Sequence, residues 1–440
     1  MLHSLLALLL AVAGPAEGAG PRLAERVIII SLDGFPAHEF EAHRASLPNL
    51  DALAKAGVHG RSLTVAPSVT WPAHTSLITG TLPARHGVVG NRWLDRTRWK
   101  VAHAWKQPKE DSVRVRTLYD VAKAAGLRTA GLLWPHTRGA PGLDLNIPEV
   151  FSKADFKRFV TPSLAKSLRA AGVAVDDLAK FSSTEDVLLD GTISSAAEVV
   201  IAKHDPHLLL LHFCTADSWG HRFGPETDVY RRGLGFYDSY VGRVIAAVEK
   251  SGRRDQTAIF VVSDHGFFVT THQVDAEKLL VRAGLPTKSV RIVSNGHLAY
   301  VYVAEGPGRA ALIAKARKAL EGEPKIERVL APEEFAAIGL PLPTDNPAVG
   351  DLVVLSRTDG RFGKIPGKAI VGRPKYKGTH GHLPEAGPNR PLFIASGAGI
   401  RARAAGIEMR NIDVAPTAAR LLGLALPQPL DGAVRSDFLP

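Results

Sequence analysis

The sequence predicts an α/β fold, with a mostly parallel central sheet flanked by helices and an inserted subdomain. Three observations predict it. Apolar, β-branched runs end in polar residues or glycine, stretches of helical periodicity alternate with them, and between residues 267 and 377 the pattern changes to shorter strands rich in Pro and Gly.

The first strand covers residues 26–32 (RVIIISL) and stops at Asp33-Gly34. A helix over 50–56 and a strand over 57–65 follow, then a helix over 117–125 that leads to a strand over 128–134. A helix over 193–203, a buried strand over 207–213 (HLLLLHF), a long helix over 229–250 and a strand over 257–262 running to Asp264 complete the centre of the sheet. Strands near 299–303 and 352–355 and a helix near 309–320 make residues 267–377 an expected cap subdomain. The chain returns to the core at Gly378, and a strand over 391–396 and a helix over 414–422 close a principal domain made of 26–266 and 378–430.

With 440 residues, 45% of them apolar and 22% charged, the chain belongs to neither the disordered nor the fibrous classes. Its net charge of +11 favours acidic partners such as phosphate compounds. Lys and Arg are scattered and no aromatic platform interleaves them, which argues against a dedicated nucleic-acid reader. The apolar run over 5–13, followed by Gly14-Pro15 and small residues to Gly20, reads as a cleaved export signal over 1–20. It falls short of the ~20 residues that span a bilayer, and no later run is long enough. A periplasmic or secreted mature chain is therefore expected. Cys214 is the only cysteine, so no intramolecular disulfide can form.

Polar clusters follow the C-terminal ends of predicted strands, where open α/β sheets bind ligands. Asp33 follows the first, Asp217 and His221 the strand over 207–213, and Asp264 with His265 the strand over 257–262. His380 sits in Gly378-Thr379-His380-Gly381, where glycines allow close backbone approach. Carboxylates and imidazoles without thiolates suit Zn2+, or less selectively Mn2+ or another divalent ion. Thr70 lies where a loop gives way to a helix, and Pro72 suits that helix's first turn. There the free N–H groups and the macrodipole favour both an alkoxide and a bound phosphate. Each cluster alone also fits a capping or surface role.

The combination of Asp33-Gly34-Phe35, the segment 69–80 (VTWPAHTSLITG), Arg85-His86-Gly87 with Asn91, Asp217 to His221, Ser263-Asp264-His265-Gly266 and Gly378-Thr379-His380-Gly381 resembles the alkaline phosphatase superfamily. Within it, the match is to the nucleotide pyrophosphatase/phosphodiesterase family, over about residues 26–430. The resemblance implies an alkaline phosphatase-like fold and a two-zinc phosphodiesterase or nucleotide pyrophosphatase. Asp33, Thr70, Asp264 and His265 would hold one ion, and Asp217, His221 and His380 the other. Thr70 would attack phosphorus to give a phosphothreonine, Asn91 would donate to a phosphate oxygen, and Trp71 would contact the leaving or nucleoside group of a small phosphate ester such as a nucleotide. His74, His86, His136, His297 and His382 read as structural.

No counterpart of the arginine that clamps phosphate in alkaline phosphatases is evident, which favours diesters. A sulfatase needs a Cys or Ser and an Arg that Thr70-Trp71-Pro72-Ala73-His74 lacks. A phosphate monoesterase or phosphonate hydrolase of the same superfamily, or a non-enzymatic phosphate or metal binder, are the alternatives.

Overall fold

The computed structural model describes residues 20–180, 186–403 and 406–440; the expected export signal, apart from Gly20, lies outside them. Eight strands form the main sheet: β1 (Arg26–Leu32), β2 (Val58–Leu63), β3 (Thr129–Leu132), β4 (Leu145–Ile147), β5 (Leu208–Phe213), β6 (Thr257–Val262), β7 (Leu392–Gly397) and β8 (Ile407–Arg410). Their spatial order is β8-β2-β7-β6-β1-β5-β3-β4. β1 pairs in parallel with both β5 and β6, while β7 alone runs antiparallel to its neighbours.

The uninterrupted apolar character of β1 has a direct cause. Ile28, Ile30 and Leu32 enter the core on one face of the sheet and Val27 and Ile29 the core on the other. β6 divides the same way, with Ile259 and Val261 against Ala258, Phe260 and Val262. Period-two alternation therefore still governs the strand, but both faces are covered.

Six helices matter for the site: α1 (Pro48–Ala56), α2 (Thr70–Thr79), α3 (Asp186–Lys203), α4 (Thr215–Phe223), α5 (Asp228–Lys250) and α6 (Val414–Leu421). The Thr227 hydroxyl caps α5 by accepting from the Tyr230 N–H. Tyr230, Leu234, Tyr237, Val241, Val244 and Val248 then repeat at helical spacing and bury one stripe of α5 in the first core.

Between β6 and β7 the chain builds a second, antiparallel sheet from Val290–Asn295, Leu298–Val303, Leu352–Ser356 and Ile326–Leu330, in that spatial order. The helix Arg309–Glu321 covers one face, where Val301, Val303, Ala316, Leu320 and Val354 make a separate core. On the other face Tyr300, Tyr302 and Phe335 pack with Val89 and Leu94, which precede β3 of the main sheet. The chain comes back where Gly378–Thr379 pairs with Phe268–Val269.

Candidate metal centre and nucleophile

β1, β5 and β6 are neighbours running in one direction, so the residues just past their ends meet at one rim. Asp33 leaves β1, Asp217 is in the first turn of α4 after β5, and Asp264 leaves β6. His221 follows Asp217 by one turn of α4, and His380 arrives from the returning segment. The six side chains fall into two groups able to hold an ion, Asp33 with Asp264 and His265, and Asp217 with His221 and His380.

Each group is set by supporting bonds. His221 Nδ1 lies 2.9 Å from the Gly378 carbonyl and His380 Nδ1 2.9 Å from the Ser68 carbonyl. Donation there leaves both Nε2 atoms as lone-pair ligands, the arrangement that metal-binding imidazoles need. The two Nε2 atoms are 3.2 Å apart, facing common space. His265 Nε2 lies 3.2 Å from Asp33 Oδ1 and 3.2 Å from Asp264 Oδ2. None of these three atoms makes a hydrogen bond, and neither does the buried Asp217 Oδ1. Buried polar atoms that converge without bonding one another fit a cation as their shared partner.

The charges agree with that assignment. Burial pushes the Asp217 carboxyl well above its usual range, reinforced by the nearby charge of Asp33. Burial also opposes the Asp33 carboxylate, but the hydrogen bond from His212 and the positive charges of His212 and His265 outweigh it and hold Asp33 well below the usual value. Burial lowers His221 to about 4 and holds His380 well below the imidazole range, so both are neutral at pH 7. His265 is raised to about 10, because the charges of Asp264 and Asp33 overcome its burial. A divalent ion would displace that proton and neutralise the crowded carboxylates.

Thr70 is the first residue of α2 and is 7% exposed. The Ser68 carbonyl, two residues before it, accepts from His380. His74, one turn after it, bonds the Thr70 carbonyl at 2.8 Å through Nδ1, which lies 3.6 Å from Asp264 Oδ2. The helix start is thus bracketed by a member of each group. The Trp71 N–H donates to Asn91 Oδ1 at 3.0 Å, and Asn295 pins the neighbouring Arg92 backbone through two bonds, placing Asn91 on the cleft wall. Trp71 is 5% exposed and packs on Trp105 at 5.4 Å; Trp105, with Phe362 and Tyr376, lines the cleft.

Three supporting features were not singled out in the sequence. His212 places Nε2 3.2 Å from Asp33 Oδ2 and Nδ1 3.2 Å from the Leu133 carbonyl, which turns Asp33 Oδ1 toward the ion site. The available signal was an imidazole inside the apolar run of β5. Asp190 on α3 accepts from the N–H groups of Cys214 and Thr215 and so holds the start of α4. Arg361 lines the same cleft as His221, His380 and Asn91. No arginine was expected here; this one comes from the segment between β6 and β7, outside every motif.

Gly381 is required beside His380. Its φ is +99°, and an added Cβ would stand 2.2 Å from the Asn295 carbonyl oxygen. Gly381→Ala is expected to cost about 1–3 kcal/mol from the backbone conformation alone, with a further cost from the clash. A fall in the denaturant midpoint, together with weaker metal retention, is the expected reading.

The profile of the type I phosphodiesterase / nucleotide pyrophosphatase family matches residues 27–383. Human ectonucleotide pyrophosphatase/phosphodiesterase family member 7 is 25% identical over 444 residues, covering 95% of this chain and 83% of that protein. Human family member 1 is 23% identical over 245 residues, 54% of this chain but only 23% of that longer protein. Human ectonucleotide pyrophosphatase/phosphodiesterase 5 superposes with a TM-score of 0.71 at 17% identity, over 94% of this chain and 99% of that one. An inactive form of the murine protein 5 in complex with AMP gives 0.70 at 18%, over 94% and 100%. The fold is the alkaline phosphatase-like one, and with the family match over most of its length the chain belongs to the nucleotide pyrophosphatase/phosphodiesterase family of phosphoric ester hydrolases.

Proposed function

We propose that the protein is a two-zinc phosphodiesterase or nucleotide pyrophosphatase whose nucleophile is Thr70. The observation that carries this reading is the convergence of unbonded Asp33, Asp217, Asp264 and His265 atoms beside the start of α2. Asp33, Asp264, His265 and Thr70 would hold one ion and Asp217, His221 and His380 the other. Bound zinc would lower the hydroxyl pKa and stabilise charge on the attacking and leaving oxygens.

The chain's own residues supply the remaining parts. At the amino end of α2 the Trp71 N–H is taken by Asn91, Pro72 has none and Ala73 donates to the Val69 carbonyl, which leaves the Thr70 N–H and the helix dipole to favour a phosphoryl oxygen. Asn91, with its amide oxygen engaged by the Trp71 N–H, has its amide nitrogen free to donate to a nonbridging oxygen. Thr70 Oγ displaces the leaving alcohol or phosphate from phosphorus, giving a phosphothreonine that water then cleaves. The AMP held by the murine relative supports a nucleotide as the kind of ester that fits.

The inserted segment is proposed as a cap over this site, since residues 273–296 and 361–376 contribute to the wall of a cleft of about 800 Å³. The run over 5–13 supports export to the periplasm or outside the cell. Among the described residues no helix is long and apolar enough to cross a membrane. Arg361 favours a second reading, monoester hydrolysis, because a guanidinium in the cleft could balance the extra charge of a monoester.

Rates on bis(p-nitrophenyl) phosphate and p-nitrophenyl phosphate, with and without zinc, decide between them. A zinc-dependent preference for the diester is expected. A monoester preference would replace the main reading with the second, and no zinc-dependent turnover of either would remove both.

A further inference from the structure

The cleft beyond the two ion groups carries cations that its own acids do not balance. Arg291 and Lys364 share Glu277. Asp275 is occupied as a helix cap and by the Ile365 N–H. Arg361 has no such partner. Its Nη1 donates to the neutral Gln273 amide oxygen at 3.3 Å and its guanidinium lies 4.7 Å from the centre of the Tyr376 ring. Its Nε is buried without a hydrogen-bond partner, and no carboxylate pairs with it among the described residues.

A largely buried cation without a counter-ion is costly, and proteins rarely keep one without a use. Burial lowers Arg361 to about 10, so it still carries its charge at neutral pH. It stands close enough to His221 to help depress that imidazole, and Arg92 acts on it in turn. Lys375, whose Nζ lies 5.0 Å from the centre of the same ring, adds to the same wall. The guanidinium is thus held between an amide and an aromatic ring, beside the ion groups but not part of them.

We propose that Arg361 binds a second anionic group of the substrate, so that the preferred ester carries a further phosphate beyond the one placed between the ion groups. This rests on the phosphodiesterase reading of the site. Tyr376 and Gln273 orient the planar guanidinium, leaving donors for bidentate contact with phosphate oxygens. Lys375 and Arg92 provide the surrounding positive field.

The test is calorimetric binding to the zinc-loaded full chain carrying Thr70→Ala, which cannot turn the ligands over. The probes are AMP, ADP and adenosine 3′,5′-bisphosphate. ADP or the bisphosphate is expected to bind at least about ten-fold more tightly than AMP, and adding Arg361→Gln to bring that ratio within about two-fold. Arg361→Lys is expected to keep part of the preference. Preference for ADP places the second anion along the phosphate chain, and preference for the bisphosphate places it on the nucleoside side. The proposal is overturned if the doubly anionic ligands show no preference or if Arg361→Gln leaves the ratio unchanged. It is equally overturned if the variant weakens all three ligands in proportion, because Arg361 would then serve the first phosphate. Hydrolysis of bis(p-nitrophenyl) phosphate by the unsubstituted protein separates this from its parent. Absence of hydrolysis, with the selectivity and its loss as expected, would remove the phosphodiesterase reading and leave the anion site standing.

Discussion

Thr70→Ala is expected to lower kcat for bis(p-nitrophenyl) phosphate by on the order of 10³-fold or more, because it removes the atom that forms the bond to phosphorus. Thr70→Ser retains a hydroxyl at the start of α2 and is expected to keep measurable turnover. Acid quenching during turnover, followed by mass analysis of the peptide containing Thr70, should show one added phosphoryl group in the unsubstituted protein and none in Thr70→Ala. The fold is not at risk from this change, since the Thr70 carbonyl, which His74 bonds, survives it. A rate within ten-fold of the unsubstituted protein, with no phosphorylated peptide, would leave Thr70 as a helix-start residue only. Metal content should be measured beside the rate, because a drop in zinc alone would point to a ligand role without nucleophilic attack.

Metal removal has the second large effect. Chelation leaves Asp33 and Asp264 buried together, with half-buried Asp217 beside them and His265 and His212 as counter-charges. A ligand present at 1,000 times its Kd stabilises the folded state by about 4.1 kcal/mol, which for a chain of this size is a shift of about 4 °C in Tm per site. A chelator is therefore expected to lower Tm by several degrees and to abolish turnover, and zinc to restore both. Asp264→Ala should reproduce much of the loss without chelator, and Asp217→Ala should do so from the other group. Unchanged Tm and rate after exhaustive chelation would exclude a metal role for both groups.

Each ion group holds a proton that an entering ion would displace, the Asp217 carboxyl in one, raised by burial, and the His265 imidazolium in the other. His221 and His380 are neutral at pH 7 because burial disfavours their charge, so the Asp217 group accepts an ion without expelling an imidazole proton. His265, held protonated between two carboxylates, must give up a proton when an ion enters the Asp33 group.

Much of this protein could be read from its residues because the informative features are local. Strand ends, helix starts and the order of the polar clusters follow from periodicities of a few residues, and parallel neighbours send their C-terminal ends to one rim by geometry alone. That was enough to nominate Asp33, Thr70, Asp217, His221, Asp264, His265 and His380. Their partition into two groups, with unbonded atoms facing shared space, depends on pairings such as β1 with β5 and β6.

Other features were decided only by tertiary structure. The reversed direction of β7 has no sequence signal, since an apolar strand in the middle of a sheet looks the same in either orientation. Burial of the Trp71 ring behind Trp105 depends on how the loop after α2 packs. The place of Arg361 depends on a segment about 290 residues beyond Thr70 folding back over the rim. The physical reason is the same in each case. Local chemistry selects helix, strand and candidate ligand, whereas desolvation, charge balance and the space left for a substrate arise only when distant segments exclude water together.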